Sequence, residues 1–136
     1  MTTTWSEPDI DLAAFLDDFD RRSAGPDSDV TGLFAPTFLA LDPARALSLT
    51  PSMLAAGLPA RRRMFEDAGV GPVRRVAARE LRLDDRHSLV SAEWTADRAT
   101  GEPLRLASMF LVRREPEGWQ VLVYLNHADV AELLAG

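Results

Sequence analysis

Few residues in this chain announce chemistry by type and spacing. Cysteine is absent, which removes disulfides, thiolate nucleophiles and thiolate metal sites. The two histidines lie far apart: His87 in a polar turn beside Asp84, Asp85 and Arg86, and His127 at the end of the last predicted strand. Imidazole titrates near neutral pH unaided, so a carboxylate beside His127 would make a proton shuttle. The plainer alternative is a strand-end histidine bonded to backbone or solvent. Asp42, followed by Pro43, closes a short apolar run. It is a general base if an apolar wall raises its pKa, or else Asp-Pro simply makes the turn. Glu93 stands between Ala92 and Trp94 in an apolar strand. A charge facing inward there needs a partner: Arg79 on the neighbouring strand is one, and a bound ligand is the alternative. A metal would have to draw Asp42, Glu93 and His127 from three elements without ligand spacing, so no metal is expected. No glycine-rich phosphate loop and no Gly-x-Ser-x-Gly elbow occurs, leaving nucleotide cofactors and serine hydrolysis without support. No cofactor is expected.

The elements that must position these residues follow from punctuation and periodicity. Ser6 with Asp9 forms a capping-box pattern ahead of Leu12, Phe15, Leu16 and Phe19 at helical spacing. Asp27 or Ser28 can cap a short second helix containing Val30, Leu33 and Phe34, which Pro36 stops. Phe38–Leu41 reads as a short strand. Thr50-Pro51 opens a helix to Ala68, kinked or divided at Gly57 and Pro59, with Gly69 as its C-terminal cap. Arg61, Arg62 and Arg63 are a solvated face near that end, or an anion site. After Gly71-Pro72 come four long strands, Val73–Leu83, Ser88–Asp97, Leu104–Arg114 and Trp119–His127, joined by short polar turns as antiparallel hairpins. Residues 128–136 form a short terminal helix.

Helices first and a meander afterwards spell an α+β fold, with helices on the concave face of a strongly curved, mainly antiparallel sheet. At 136 residues, with 46% hydrophobic and 26% charged residues, a single domain with one core is expected. In the last strand Trp119, Val121, Val123 and Leu125 alternate on one side, opposite Gln120, Leu122, Tyr124 and Asn126. Both sides carry apolar residues, so the convex side, to which Tyr124 and Asn126 are assigned, calls for a second cover. A homodimer through the sheet supplies it. The net charge of −6 argues against nucleic acid as partner. Every basic residue is arginine, a bias that suits a GC-rich bacterial genome. No apolar run approaches the ~20 residues of a membrane span, and no secretory signal opens the chain, so a cytoplasmic protein without membrane contact is expected.

Leu33-Phe34-Ala35, Asp42-Pro43 after the short strand, and Gly118-Trp119-Gln120-Val121 opening the last strand carry a resemblance to the nuclear-transport-factor-2-like superfamily. It spans about Pro8 to His127 and includes ketosteroid isomerases and polyketide-cyclase-like proteins. The resemblance implies a cone-shaped fold with a mostly apolar pocket. It places Asp42 where ketosteroid isomerases hold their proton-moving aspartate, and it turns His127, Glu93 and Ser108 inward. Where those enzymes have oxyanion donors, it puts Phe15 and Phe110, which cannot donate. Losing one such donor costs about 10²–10³ in rate, so the standard isomerisation is not expected. Phe15, Phe19, Phe38, Phe110, Trp94 and Val123 either line the cavity or form core. The reading that results is a pocket protein binding or transforming an apolar, ring-bearing molecule, with Asp42 and His127 as acid-base groups in an isomerase, dehydratase or cyclase. The alternative is a non-catalytic homodimeric module whose pocket is filled by side chains.

Overall fold

The computed structural model describes residues 4–24 and 29–135. Its elements in chain order are β1 (Trp5–Ser6), α1 (Ile10–Ala24), a 3-10 turn (Thr31–Leu33), β2 (Phe34–Leu41), β3 (Ala46–Leu49), α2 (Pro51–Asp67), β4 (Arg74–Arg82), β5 (His87–Ala96), β6 (Leu104–Glu115), β7 (Gly118–Asn126) and α3 (Val130–Ala135). The strands form one sheet in the order β1-β4-β5-β6-β7-β2-β3. Every pairing is antiparallel except β2 with β7. The helices roof its concave face, and the sheet stays open. There Leu12, Leu16 and Phe19 of α1 pack on Val90, Ala92, Trp94, Phe110, Val112, Trp119 and Val121.

The four long strands fall where the turns predict them; the N-terminal half differs in four places. Ser6 does not cap α1. It belongs to β1, paired with Glu80, and Glu80 itself accepts from the Asp9 amide at 3.0 Å. The predicted second helix is only the 3-10 turn, its expected caps Asp27 and Ser28 lying outside the described residues. Phe34 already belongs to β2, and Pro36 sits inside that strand where the ladder to β7 shifts register, the tolerated place for a residue with no amide to donate. The third difference is β3, a short strand after a tight turn. The fourth is α2, which runs unbroken through Gly57 and Pro59. Thr50 caps it as expected, accepting from Met53 N at 3.3 Å, and Gly69 follows it at φ +72.

A bulge in β7 decides which of its side chains face the core. Leu111 pairs with Val123 while Val112 pairs with Val121, so one residue of β7, Leu122, has no counterpart. An extra residue inverts side-chain alternation beyond it. Trp119 and Val121 therefore face the core, and beyond Leu122 so do Tyr124 and Asn126, opposite Phe110 and Ser108. Val123 and Leu125 turn to the convex face.

Candidate functional site

Between α1, α2 and the concave face lies a partly enclosed cavity of about 520 Å³. Its walls are mainly apolar, with Phe19, Phe34, Phe38, Leu54, Leu58 and Trp94 among them. Rings pave one side continuously: Phe34 and Phe38 lie 4.5 Å apart by centroid, and Phe19 and Phe34 5.8 Å. These spacings lie in the range of favourable tilted aromatic contacts.

The polar groups fall into three places. The first is Asp20 on α1, which the sequence reading passed over. Its Oδ1 accepts from Trp94 Nε1 at 3.1 Å. Arg75 Nη1 lies 2.9 Å from Oδ2, close enough for an ion pair but at an angle that is no hydrogen bond. Burial raises the Asp20 pKa above the usual carboxylate value, and neighbouring Asp17 adds to this, while Trp94 and Arg75 oppose it. An apolar wall that favours the neutral carboxyl makes Asp20 a group able to hold or move a proton inside the cavity.

The second place is the inner polar patch. Ser108 Oγ donates to Asn126 Oδ1 at 2.7 Å and lies 3.5 Å from Tyr124 Oη. The third is the mouth, where exposed Arg61 and Glu66 of α2 join the lining. The Arg61 guanidinium stands 5.3 Å from the Phe65 ring centroid, a cation–π distance. Thus Arg61, predicted as solvated, also frames the opening.

Phe19, Phe38, Trp94 and Ser108 line the cavity. Phe110 lies behind its wall, fully buried, with Tyr124 and Phe19 in ring contact at 4.8 and 5.4 Å. Phe15 packs half-buried against the same core without reaching the cavity. Four placements are corrected, that of His127 below among them. Val123 faces away because of the Leu122 bulge. Glu93 is exposed on the convex face, since Ala92 and Trp94 on either side of it point inward, and it forms no ion pair with Arg79. Tyr124 and Asn126, expected outside, line the cavity.

His127 is exposed and lines neither this cavity nor the hollow beside it; its amide donates to Ala107 O at 3.1 Å. Asp42 lies in that adjoining hollow of about 320 Å³, which shares Ala40, Arg61, Tyr124 and Asn126 with the cavity. Its Oδ1 accepts from the amides of Ala44 and Arg45 at 2.7 and 2.8 Å, the bonding of a residue that shapes a turn. Asp42, Glu93 and His127 do not meet, and among the described residues no cluster of three or more potential metal ligands exists.

No protein-family model matches the chain, and no curated protein matches it. Solved structures do. The structure of Aln2 from a Streptomyces species matches with a TM-score of 0.71 at 16% identity, over 96% of this chain and 100% of that one. An NTF2-like protein of unknown function from Shewanella oneidensis gives 0.66 at 12%, over 86% and 96%. A ketosteroid isomerase-like protein from Erwinia carotovora atroseptica gives 0.53 at 20%, over 85% and 88%. The chain thus has the NTF2-like, cystatin-like fold, and within it a ring-lined cavity with the Asp20 carboxyl in its wall, Glu66 at its mouth and one hydroxyl–amide patch. Folds of this breadth host many activities, so function has to be argued from the cavity.

Proposed function

We propose that the protein encloses a small apolar, ring-bearing molecule between α1, α2 and the sheet. The observation that carries this reading is the ring-lined cavity of about 520 Å³, within the size range of small-molecule sites. A pocket filled by its own side chains would leave no such space, which disfavours the purely structural module. If the protein transforms its ligand, Asp20 is the carboxyl inside the cavity and Asp42 the one beside it. The test is thermal denaturation with 2-isopropenylnaphthalene. At a hundredfold excess over its Kd a ligand adds about 2.7 kcal/mol of stability, a rise in Tm of roughly 5 °C or more. Leu58→Trp, which places an indole in the cavity, abolishes that rise while the protein stays folded. No rise in the unsubstituted protein, or an undiminished rise in Leu58→Trp, overturns the reading.

A homodimer through the sheet belongs to the same proposal. The register lines up Leu39, Val123, Leu111, Leu89, Leu81 and Trp5 in one row across six strands of the convex face. Leu39 and Trp5 are 45% and 37% exposed. A continuous apolar row of this length gains by being covered, and a second copy supplies a matching one. Sedimentation equilibrium checks it: the expected species is a dimer that Leu111→Arg converts to monomer. A monomer at all concentrations would sink it.

A further inference from the structure

We propose that the inner end of the cavity is a hydrogen-bond donor site, made of Tyr124 Oη and Asn126 Nδ2, for the oxygen of a neutral carbonyl on a ring-bearing ligand. It rests on the reading that the cavity holds such a ring, and it adds the ligand's polar group and its orientation. Ser108 is 1% exposed and has one hydrogen to give. Asn126 Oδ1 lies 2.7 Å away and Tyr124 Oη 3.5 Å, so that hydrogen belongs to Asn126. The bond occupies the amide's acceptor and sets its orientation. Both Nδ2 hydrogens are left over without an acceptor among the described residues, and the Tyr124 hydroxyl has only Ser108 Oγ, at 3.5 Å a long contact that leaves its hydrogen available to a nearer acceptor.

The two side chains are two residues apart on β7, hence on one face, and both line the cavity. A carbonyl oxygen has two lone pairs and can accept from both donors. Among the other polar residues of the lining, Asp20 already accepts from Trp94 and sits beside Arg75. A buried anionic head needs a cation bonded to it, whereas Tyr124 and Asn126 offer uncharged donors. Arg61 borders both the cavity and the hollow that share Tyr124 and Asn126, but it is exposed to solvent and lies over the Phe65 ring. A ketone, aldehyde or ester is therefore the complement.

The experiment compares 2-acetylnaphthalene, 2-isopropenylnaphthalene and 2-naphthoate by calorimetric titration of the full chain, together with the infrared stretch of carbonyl-labelled 2-acetylnaphthalene. The ketone binds about tenfold tighter than its isopropenyl isostere, the scale of one or two net hydrogen bonds, and its carbonyl stretch shifts below that in hydrocarbon solvent. Tyr124→Phe and Asn126→Asp each remove most of that ratio and move the stretch back. Affinity for the isostere stays within about twofold of the unsubstituted protein, showing an intact cavity. Equal binding of ketone and isostere, a ratio that survives both substitutions, or tighter binding of naphthoate overturns the donor site. If the isostere and the ketone both fail to bind, the cavity reading itself falls, and the donor site with it.

Discussion

Phe110→Ala lowers the unfolding free energy by about 4 kcal/mol, the usual scale for deleting a fully buried phenylalanine ring. Phe110 has no solvent exposure and stands at the crossing of three aromatic contacts, with Phe19 at 5.4 Å, Trp94 at 5.8 Å and Tyr124 at 4.8 Å. Those partners belong to α1, β5 and β7, so the ring couples the roof to two strands at once. The backbone of β6 is held on both sides by β5 and β7 and cannot close around the void. The loss is therefore the transfer free energy plus most of a cavity term. Phe110→Leu keeps much of the volume and costs less, about 1.5 kcal/mol or below. Urea titration followed by tryptophan fluorescence reads both, with the slope unchanged if only the native state is affected. A loss under about 1 kcal/mol for Phe110→Ala would mean that the ring does not couple these elements. A domain of this kind has about 5–15 kcal/mol in total, so the substitution removes a large fraction.

The fold was legible where its signals are strong and local. Four apolar strands separated by Asp84-Asp85-Arg86, by the Arg98–Glu102 segment and by Glu115–Gly118 leave few arrangements other than a meander, and the structure has it. The Thr50 cap was legible because hydroxyl, proline and helical spacing all agree. Short elements were not. Ala46–Leu49 offers four residues between a turn and a cap, too few for alternation to show. Ser6 satisfies a capping pattern, yet pairing with Glu80 wins because β1 closes the free edge of β4.

The candidate site was legible only in part, for a specific physical reason. Trp119, Val121, Val123 and Leu125 alternate without interruption in sequence, and nothing in their types reveals that Leu122 is unpaired. A single unmatched residue exchanges the faces of the strand's second half. It sends Val123 out and brings in Tyr124 and Asn126, the two side chains on which the polar end of the cavity depends. Asp20 escaped notice among the acidic residues of α1. The signal that could have found it is Trp94, whose indole N–H needs an acceptor when the ring is buried, with Asp20 directly after Phe19 on the inward side of the helix.

Removing the Glu80 carboxylate will cost nearly as much as removing the Phe110 ring. Glu80 is 2% exposed. One oxygen accepts from Ser88 Oγ at 2.6 Å and the other from Asp9 N at 3.0 Å. Ser88 is itself wholly buried, and Asp9 immediately precedes α1, where the partial positive charge of the helix N-terminus favours a nearby anion. The carboxylate thus ties the start of the roof to the middle of the sheet. Glu80→Ala leaves two donors without acceptors, and at about 1–3 kcal/mol for each stranded group the expected loss is about 3 kcal/mol. The double substitution Glu80→Ala with Ser88→Ala separates this account from a simple packing defect. It removes one stranded hydroxyl, so it is no less stable than Glu80→Ala alone, whereas independent defects would add. Hydrogen exchange gives a second readout, because amides in the first turn of α1 exchange faster once their anchor is gone. An additive double substitution, or unchanged exchange at Leu12 and Ala13, would show that Glu80 is a passive occupant of the core and that α1 is held by its apolar face alone.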